Sequence, residues 1–118
     1  MSKFEMYRDD AGEYQWRLVA DNHEIVARSS EGYSRKRDCR NGLLNFRNAF
    51  REELEIRQHD TEVYESENSE YRWQYVHQNG NIIAVGEGYT RRDDAEWGLA
   101  VAMFYAALDR TTITDQTA

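Results

Sequence analysis

The chain contains no proline, a single cysteine, and only two lysines among its 15 cationic residues. Each shortage excludes something. Without proline there is no polyproline segment and no proline-stiffened spacer. With Cys39 alone there is no internal disulfide and no Cys-x-x-Cys pair for redox or zinc chemistry. No stretch approaches the ~20 consecutive apolar residues of a membrane span, and the opening MSKFEMYRDD lacks an apolar signal core. A cytoplasmic protein with no membrane association is expected. The scarcity of lysine leaves 13 arginines, which 22 acidic residues outweigh to give a formal net charge of -7. That balance argues against a protein that coats nucleic acid. It points instead to a salt-rich cytosol, where excess carboxylates keep a chain soluble.

Catalytic patterns are also missing. There is no Ser-His-Asp set, no phosphate-binding loop and no His-Glu-x-x-His. His23, His59 and His77 fall in a turn, a link and a strand, so none stands beside Cys39 as a base. Asp9, Asp10 and Glu13, like Glu65, Glu67 and Glu70, crowd hairpin tips without the spacing or glycine of a calcium loop. No enzyme activity, cofactor or metal is expected.

What the sequence does contain is an internal repeat. Shifting it by 57 positions superposes FEMYRDDAGEYQWRLVADNHEIVA on TEVYESENSEYRWQYVHQNGNIIA. Glu5/Glu62, Tyr7/Tyr64, Tyr14/Tyr71, Trp16/Trp73, Asn22/Asn79 and Ile25/Ile82 coincide. After a one-residue deletion, EGYSRKRDCRNGLLNF matches EGYTRRDDAEWGLAVA at an offset of 56. A period this short suits a supersecondary unit that cannot bury its own face, so two units sharing one core are expected.

Each unit reads as three strands, a helix and a short fourth strand. YQWRLVA and YRWQYVH alternate apolar with mixed residues, and Asp-Asn-His and Gln-Asn-Gly-Asn mark hairpin turns. Gly32 and Gly88 are expected to take unusual backbone dihedrals on leaving the sheet. Ser34 and Thr90 are expected helix N-caps, the latter in a capping box with Asp93. The helices should run from Arg35 to Phe50 and from Arg91 to Leu108, with fourth strands at Glu53 to Gln58 and Arg110 to Thr114.

The phrases FEMYRDDAGEYQWRL, NHEIVA and SEGYSRKRDCRNGL resemble the YegP-like family of small proteins, a domain of unknown function. The resemblance covers residues 3–57 and 61–115, one repeat each, together forming one compact domain. It implies an α+β fold of two tandem β(3)-α-β repeats related by a pseudo-two-fold. They would form one antiparallel sheet, carry two helices on one face and exchange their C-terminal strands. The second unit departs from the pattern at Ala95 in place of Cys39 and Trp97 in place of Asn41. The family carries no established activity or catalytic residues, so function has to be read elsewhere.

The aromatic row Tyr14, Trp16, Tyr71 and Trp73 is expected in the core, with a stacking surface as the alternative. Glu5, Tyr7, Gln15, Arg17 and Arg28, with Glu62, Tyr64, Arg72 and Gln74, should lie on the opposite face as cross-strand pairs. Gly42 and Gly98 sit mid-helix, at a cost of about 0.5–1 kcal/mol each relative to alanine. Close approach of helix to aromatic sheet face would compensate. Cys39 shares a helix face with Leu43 and Phe46 and is expected as a small buried hydrophobe.

The two helices diverge on their outer faces. The first carries Arg37, Arg40, Arg47 and Arg51 beside Asn41, Asn45 and Asn48. In the second, those asparagine positions become Trp97, Val101 and Phe104, which with Leu108 make an apolar stripe. The core face of the second helix should be Ala95, Leu99, Ala102, Met103 and Ala106, so the stripe is surplus to it. A surplus stripe marks an interface unless the tail or the first helix covers it. Charge divides as well: residues 1–59 carry 11 basic and 11 acidic side chains, and residues 60–118 carry 4 and 11. The expected function is non-enzymatic protein contact, as a homodimer or with a partner, through Trp97, Val101, Phe104 and Leu108. The alternative is nucleic-acid or anion contact through Arg37, Arg40, Arg47 and Arg51.

Overall fold

The structure, a computed structural model, describes residues 1–50, 59–77, 79–108 and 110–117. In chain order the elements are β1 (Lys3–Arg8), β2 (Tyr14–Val19), β3 (Ile25–Ser29), α1 (Lys36–Ala49), β4 (His59–Glu65), β5 (Tyr71–His77), β6 (Ile82–Val85), α2 (Arg92–Ala107) and β7 (Thr112–Asp115). They form one seven-stranded sheet in the order β4-β5-β6-β3-β2-β1-β7. Two meanders meet at the centre, where β3 and β6 pair antiparallel through Arg28↔Val85 and Ser29↔Ala84. The pseudo-two-fold of the sequence repeat passes through this junction.

The expected exchange of a C-terminal strand is present for the second unit. β7 leaves α2 and pairs with β1 of the first unit, Phe4 opposite Ile113. The pairing is parallel, so the sheet is mixed and not wholly antiparallel. α2 carries the chain from β6 at the centre of the sheet to its β1 edge, where β7 runs alongside β1 in the same direction. The fourth strand expected at Glu53 to Gln58 lies outside the described residues.

Alternation in the strands sets the two faces. Phe4, Met6, Trp16, Leu18, Trp73 and Tyr75 turn inward and are buried. The helices cover this side, α1 against β1, β2 and β6, and α2 against β3, β4 and β5. On the other side the expected cross-strand pairs form. Arg17 Nε donates to Glu5 Oε1 at 2.7 Å, Lys3 reaches Glu5 Oε2 at 3.1 Å, and the Arg17 guanidinium lies 4.5 Å over the Tyr7 ring. Burial works to raise the Glu5 pKa, but the Arg17 and Lys3 contacts outweigh it and the net shift is downward.

Phe46 of α1 occupies the middle of the core. Its ring stacks on Trp16 at 5.5 Å and on Trp73 at 6.3 Å, and meets Phe4 and Tyr75 edge-on. The repeat places Ala102 of α2 at the matching position, also fully buried. One large side chain near the pseudo-axis leaves room for only a small one from the other helix. The core face of α2 is accordingly small, with Ala95, Ala102 and Ala106 buried and Leu99 packed against the cluster.

Three local expectations are corrected. The N-caps are Arg35 and Arg91, one residue after Ser34 and Thr90, and both have extended backbone without a side-chain cap bond. Asp38 and Asp94 stand in the first turns, where a carboxylate meets the helix dipole favourably. Asp93 turns to Arg91 at 3.0 Å, and no capping box with Thr90 forms. Gly32 and Gly88 have ordinary φ; a Cβ there would lie 2.7 Å from a carboxylate oxygen of Glu13 or Glu70. Positive φ occurs instead at the hairpin turns, at Gly12 and Ser69 in one pair of equivalent positions and His23 and Gly80 in the other.

Candidate protein-docking groove

The segments before the two helices are built alike. Tyr33 bonds back to Tyr14, and Tyr89 to Tyr71, through reciprocal backbone hydrogen bonds of 2.7–2.8 Å. This holds each tyrosine ring under the helix that follows. A Cβ at Gly42 would lie 2.5 Å from Tyr33 Oη, and one at Gly98 would lie 2.5 Å from Tyr89 Oη. The mid-helix glycines therefore answer to close approach, as expected, with these two tyrosines as the approaching groups.

Above that shared base the helices differ. Two residues of the surplus stripe of α2 stand open: Trp97 is 71% and Phe104 58% exposed, whereas Trp16 and Trp73 are fully buried. Val101 and Leu108 are half-buried beside them. Trp97, Val101 and Phe104 form one wall of a groove of about 480 Å³, together with Ala100 and Tyr105; Leu108, the C-cap residue of α2, is not part of that wall. The β2–β3 hairpin forms the other wall through Ala20, Asn22, Glu24 and Val26.

The hairpin wall was not foreseen from the sequence, and its cause is a β-bulge. Leu18 pairs with Ala27 and Val19 with Ile25, so Val26 is the extra residue, and it lines the groove. The second unit has the same irregularity at Ile83, between Tyr75↔Ala84 and Val76↔Ile82. Three consecutive apolar residues, Ile25-Val26-Ala27 and Ile82-Ile83-Ala84, break strict alternation and were the available signal.

The groove is acidic where α2 begins. Glu24 lines the groove and Asp94 stands in the first turn of α2, three residues before Trp97; burial raises the pKa of Tyr89, and the charges of Glu87, Glu24 and Asp94 add to the shift. None of the three is in an ion pair among the described residues. Three nearby cations are engaged: Arg91 with Asp93 at 3.0 Å, Arg92 donating to the Val63 carbonyl at 3.3 Å, and Arg110 bidentate on Asp21 at 2.8 and 3.0 Å, while Arg28 lines a neighbouring pocket with Glu87.

The positions that match the groove by the repeat carry Asn41, Asn45 and Asn48 on α1 and, for Glu24, Asn81 of the second unit. Asn45 accepts a hydrogen bond from Tyr75 Oη at 2.8 Å. Of the basic row, Arg37 and Arg40 are exposed and Arg47 is half-buried. Arg51 lies outside the described residues. Cys39 is fully buried, and burial pushes its thiol up to about 11. A thiol so shifted is protonated at neutral pH, as expected of a core residue.

Comparison with known proteins bears on the fold and the family. A solution structure of the Escherichia coli protein of unknown function yegP superposes with a TM-score of 0.80 at 21% identity, covering 99% of this chain and 94% of that one. A UPF0339 protein of Shewanella oneidensis superposes at 0.79 and 21% identity, covering 98% and 92%. A UPF0339 protein of Neisseria meningitidis serogroup B is 52% identical over 40 residues, 34% of this chain and 70% of its own length. The pattern described as Domain of unknown function (DUF1508) matches residues 9–44 and 61–110, one segment in each repeat and well over half of the chain. The chain therefore belongs to the DUF1508 family, the YegP-like proteins.

Proposed function

We propose that the chain is a non-enzymatic docking module that holds an apolar segment of a protein in the groove between α2 and the β2–β3 hairpin. One observation carries this reading: Trp97 and Phe104 stand exposed on a helix whose core face is already supplied by Ala95, Leu99, Ala102 and Ala106. Apolar side chains with no task in the core, lined up beside a second wall, are what a binding groove requires. The matching asparagines of α1 show that the repeat folds without them.

The test compares wild type with Trp97→Asp/Phe104→Asp. Both are run in sedimentation velocity over a concentration series, and both serve as bait in extract from the native host. The expected result is an assembly or a captured protein that the double variant loses. Identical behaviour of the two proteins in both assays would contradict the reading.

A further inference from the structure

The docking reading leaves the occupant open between a second copy of this chain and a different protein, and the charges around the groove separate the two. In a two-fold dimer through this face every residue meets the same patch on its mate. Glu24 and Asp94 would then face a patch that carries the same two carboxylates. Arg91, Arg92 and Arg110 would not relieve them, because each is already engaged within the chain. The basic helix α1 of a second copy is no better suited. It offers Asn41, Asn45 and Asn48 where an apolar groove asks for hydrophobic side chains.

We infer that the occupant is a cationic amphipathic segment of another protein, with large apolar side chains against Trp97, Val101 and Phe104 and Lys or Arg beside Glu24 and Asp94. This inference rests on the docking reading. What carries it is that apolar wall and uncompensated carboxylate occur in the same groove, Glu24 being itself a lining residue. They also vary together across the repeat. The positions that exchange asparagine for Trp97, Val101 and Phe104 are accompanied by Asn81 in place of Glu24. Electrostatic complementarity of this kind selects the partner more than it tightens the complex. Apolar contacts supply the salt-insensitive part, while contacts between charges at close range in a partly enclosed groove are screened less than open surface pairs.

The experiment uses fluorescein-labelled synthetic peptides of about 15 residues, one an amphipathic Leu/Lys helix and one its Leu/Glu counterpart, titrated with the full chain. The Leu/Lys peptide is expected to bind with one-to-one stoichiometry and the Leu/Glu peptide at least about ten-fold more weakly. Trp97→Ser/Phe104→Ser is expected to weaken the Leu/Lys peptide by about ten-fold or more. Glu24→Gln is expected to weaken it roughly two- to five-fold at low salt, with the difference shrinking at high salt.

Equal binding of both peptides, lost in the double serine variant, would overturn the cationic assignment and leave the docking reading standing. No peptide binding, with self-association abolished by the same variant, would show the occupant to be a second copy. Leu/Lys binding untouched by the double serine variant would mean general attraction to an acidic chain, and would overturn the inference. Absence of both peptide binding and self-association would also overturn it. In that last case the host-extract comparison decides separately whether the docking reading survives.

Discussion

α1 and α2 begin from matching sixteen-residue stretches, identical at seven positions, and end with opposite surfaces. Both start one residue after an extended arginine, both place an aspartate in the first turn, and both bring a glycine onto a tyrosine hydroxyl. On the inner face α1 sends Phe46 between Trp16 and Trp73, and α2 answers with Ala102. On the outer face the asymmetry reverses, with asparagine and arginine on α1 and Trp97, Val101 and Phe104 on α2. Two copies of one unit cannot both fill the centre of a shared core. The copy that contributes least there has bulky apolar residues outside, with Trp97 and Phe104 exposed.

The largest effects should fall on the residues both units need. Trp16→Ala, Trp73→Ala or Phe46→Ala should each cost about 3–5 kcal/mol in chemical denaturation, since each removes a fully buried ring. Trp97→Ala should stay within about 0.5 kcal/mol. A Trp97 effect approaching that of Trp73 would erase the distinction between core and surplus aromatics.

A middle-sized effect tests the common base. Gly42→Ala should destabilise by about 1–2 kcal/mol, because overpacking against Tyr33 Oη exceeds the gain in helix propensity. Adding Tyr33→Phe removes the clashing oxygen, so the double variant should be less destabilised than the two single costs summed. Strict additivity would mean the glycine serves some other purpose. Asn45→Val, which makes α1 resemble α2 at that position, removes an acceptor of Tyr75 Oη and should cost about 0.5–1.5 kcal/mol.

The smallest effect concerns how the exchanged strand is tied down. Lys36 in the first turn of α1 pairs with Asp115 at the end of β7, and that contact, first among several hydrogen bonds, lowers the Asp115 pKa to about 2. A depressed carboxylate pKa contributes stability that is fully present above the unfolded value and is lost as pH falls through the folded one. The wild type should therefore exceed Lys36→Gln slightly at pH 6, with the gap closing between about pH 4 and pH 2. A gap that widens on acidification would contradict the pairing.

Much of this was legible before the structure. The period near 57, the alternation around Trp16 and Trp73, and the glycines at 42 and 98 carry the architecture, because each encodes a local or near-local constraint. The stripe on α2 was legible for the same reason, as helical spacing is local. The groove was not, because its second wall comes from a hairpin about 75 residues earlier in the chain, turned inward by a bulge at Val26. The caps were misplaced because Ser34 and Thr90 have the right chemistry but stand one residue before the turn that starts each helix. The parallel pairing of β7 depends on a crossover that strand patterns do not reveal.

The central claim is that the outer-face residues Trp97, Val101 and Phe104, where α2 departs from α1, are not needed for the fold. It is tested most directly by giving α2 the outer face of α1, as Trp97→Asn/Val101→Asn/Phe104→Asn, and measuring unfolding free energy in denaturant. The account predicts a change within about 2 kcal/mol of wild type, since the exposed Trp97 and Phe104 should each contribute within about 0.5 kcal/mol and Val101 is only half-buried. A loss of about 3–5 kcal/mol, the size expected for a buried ring, would place the stripe in the core and contradict the account.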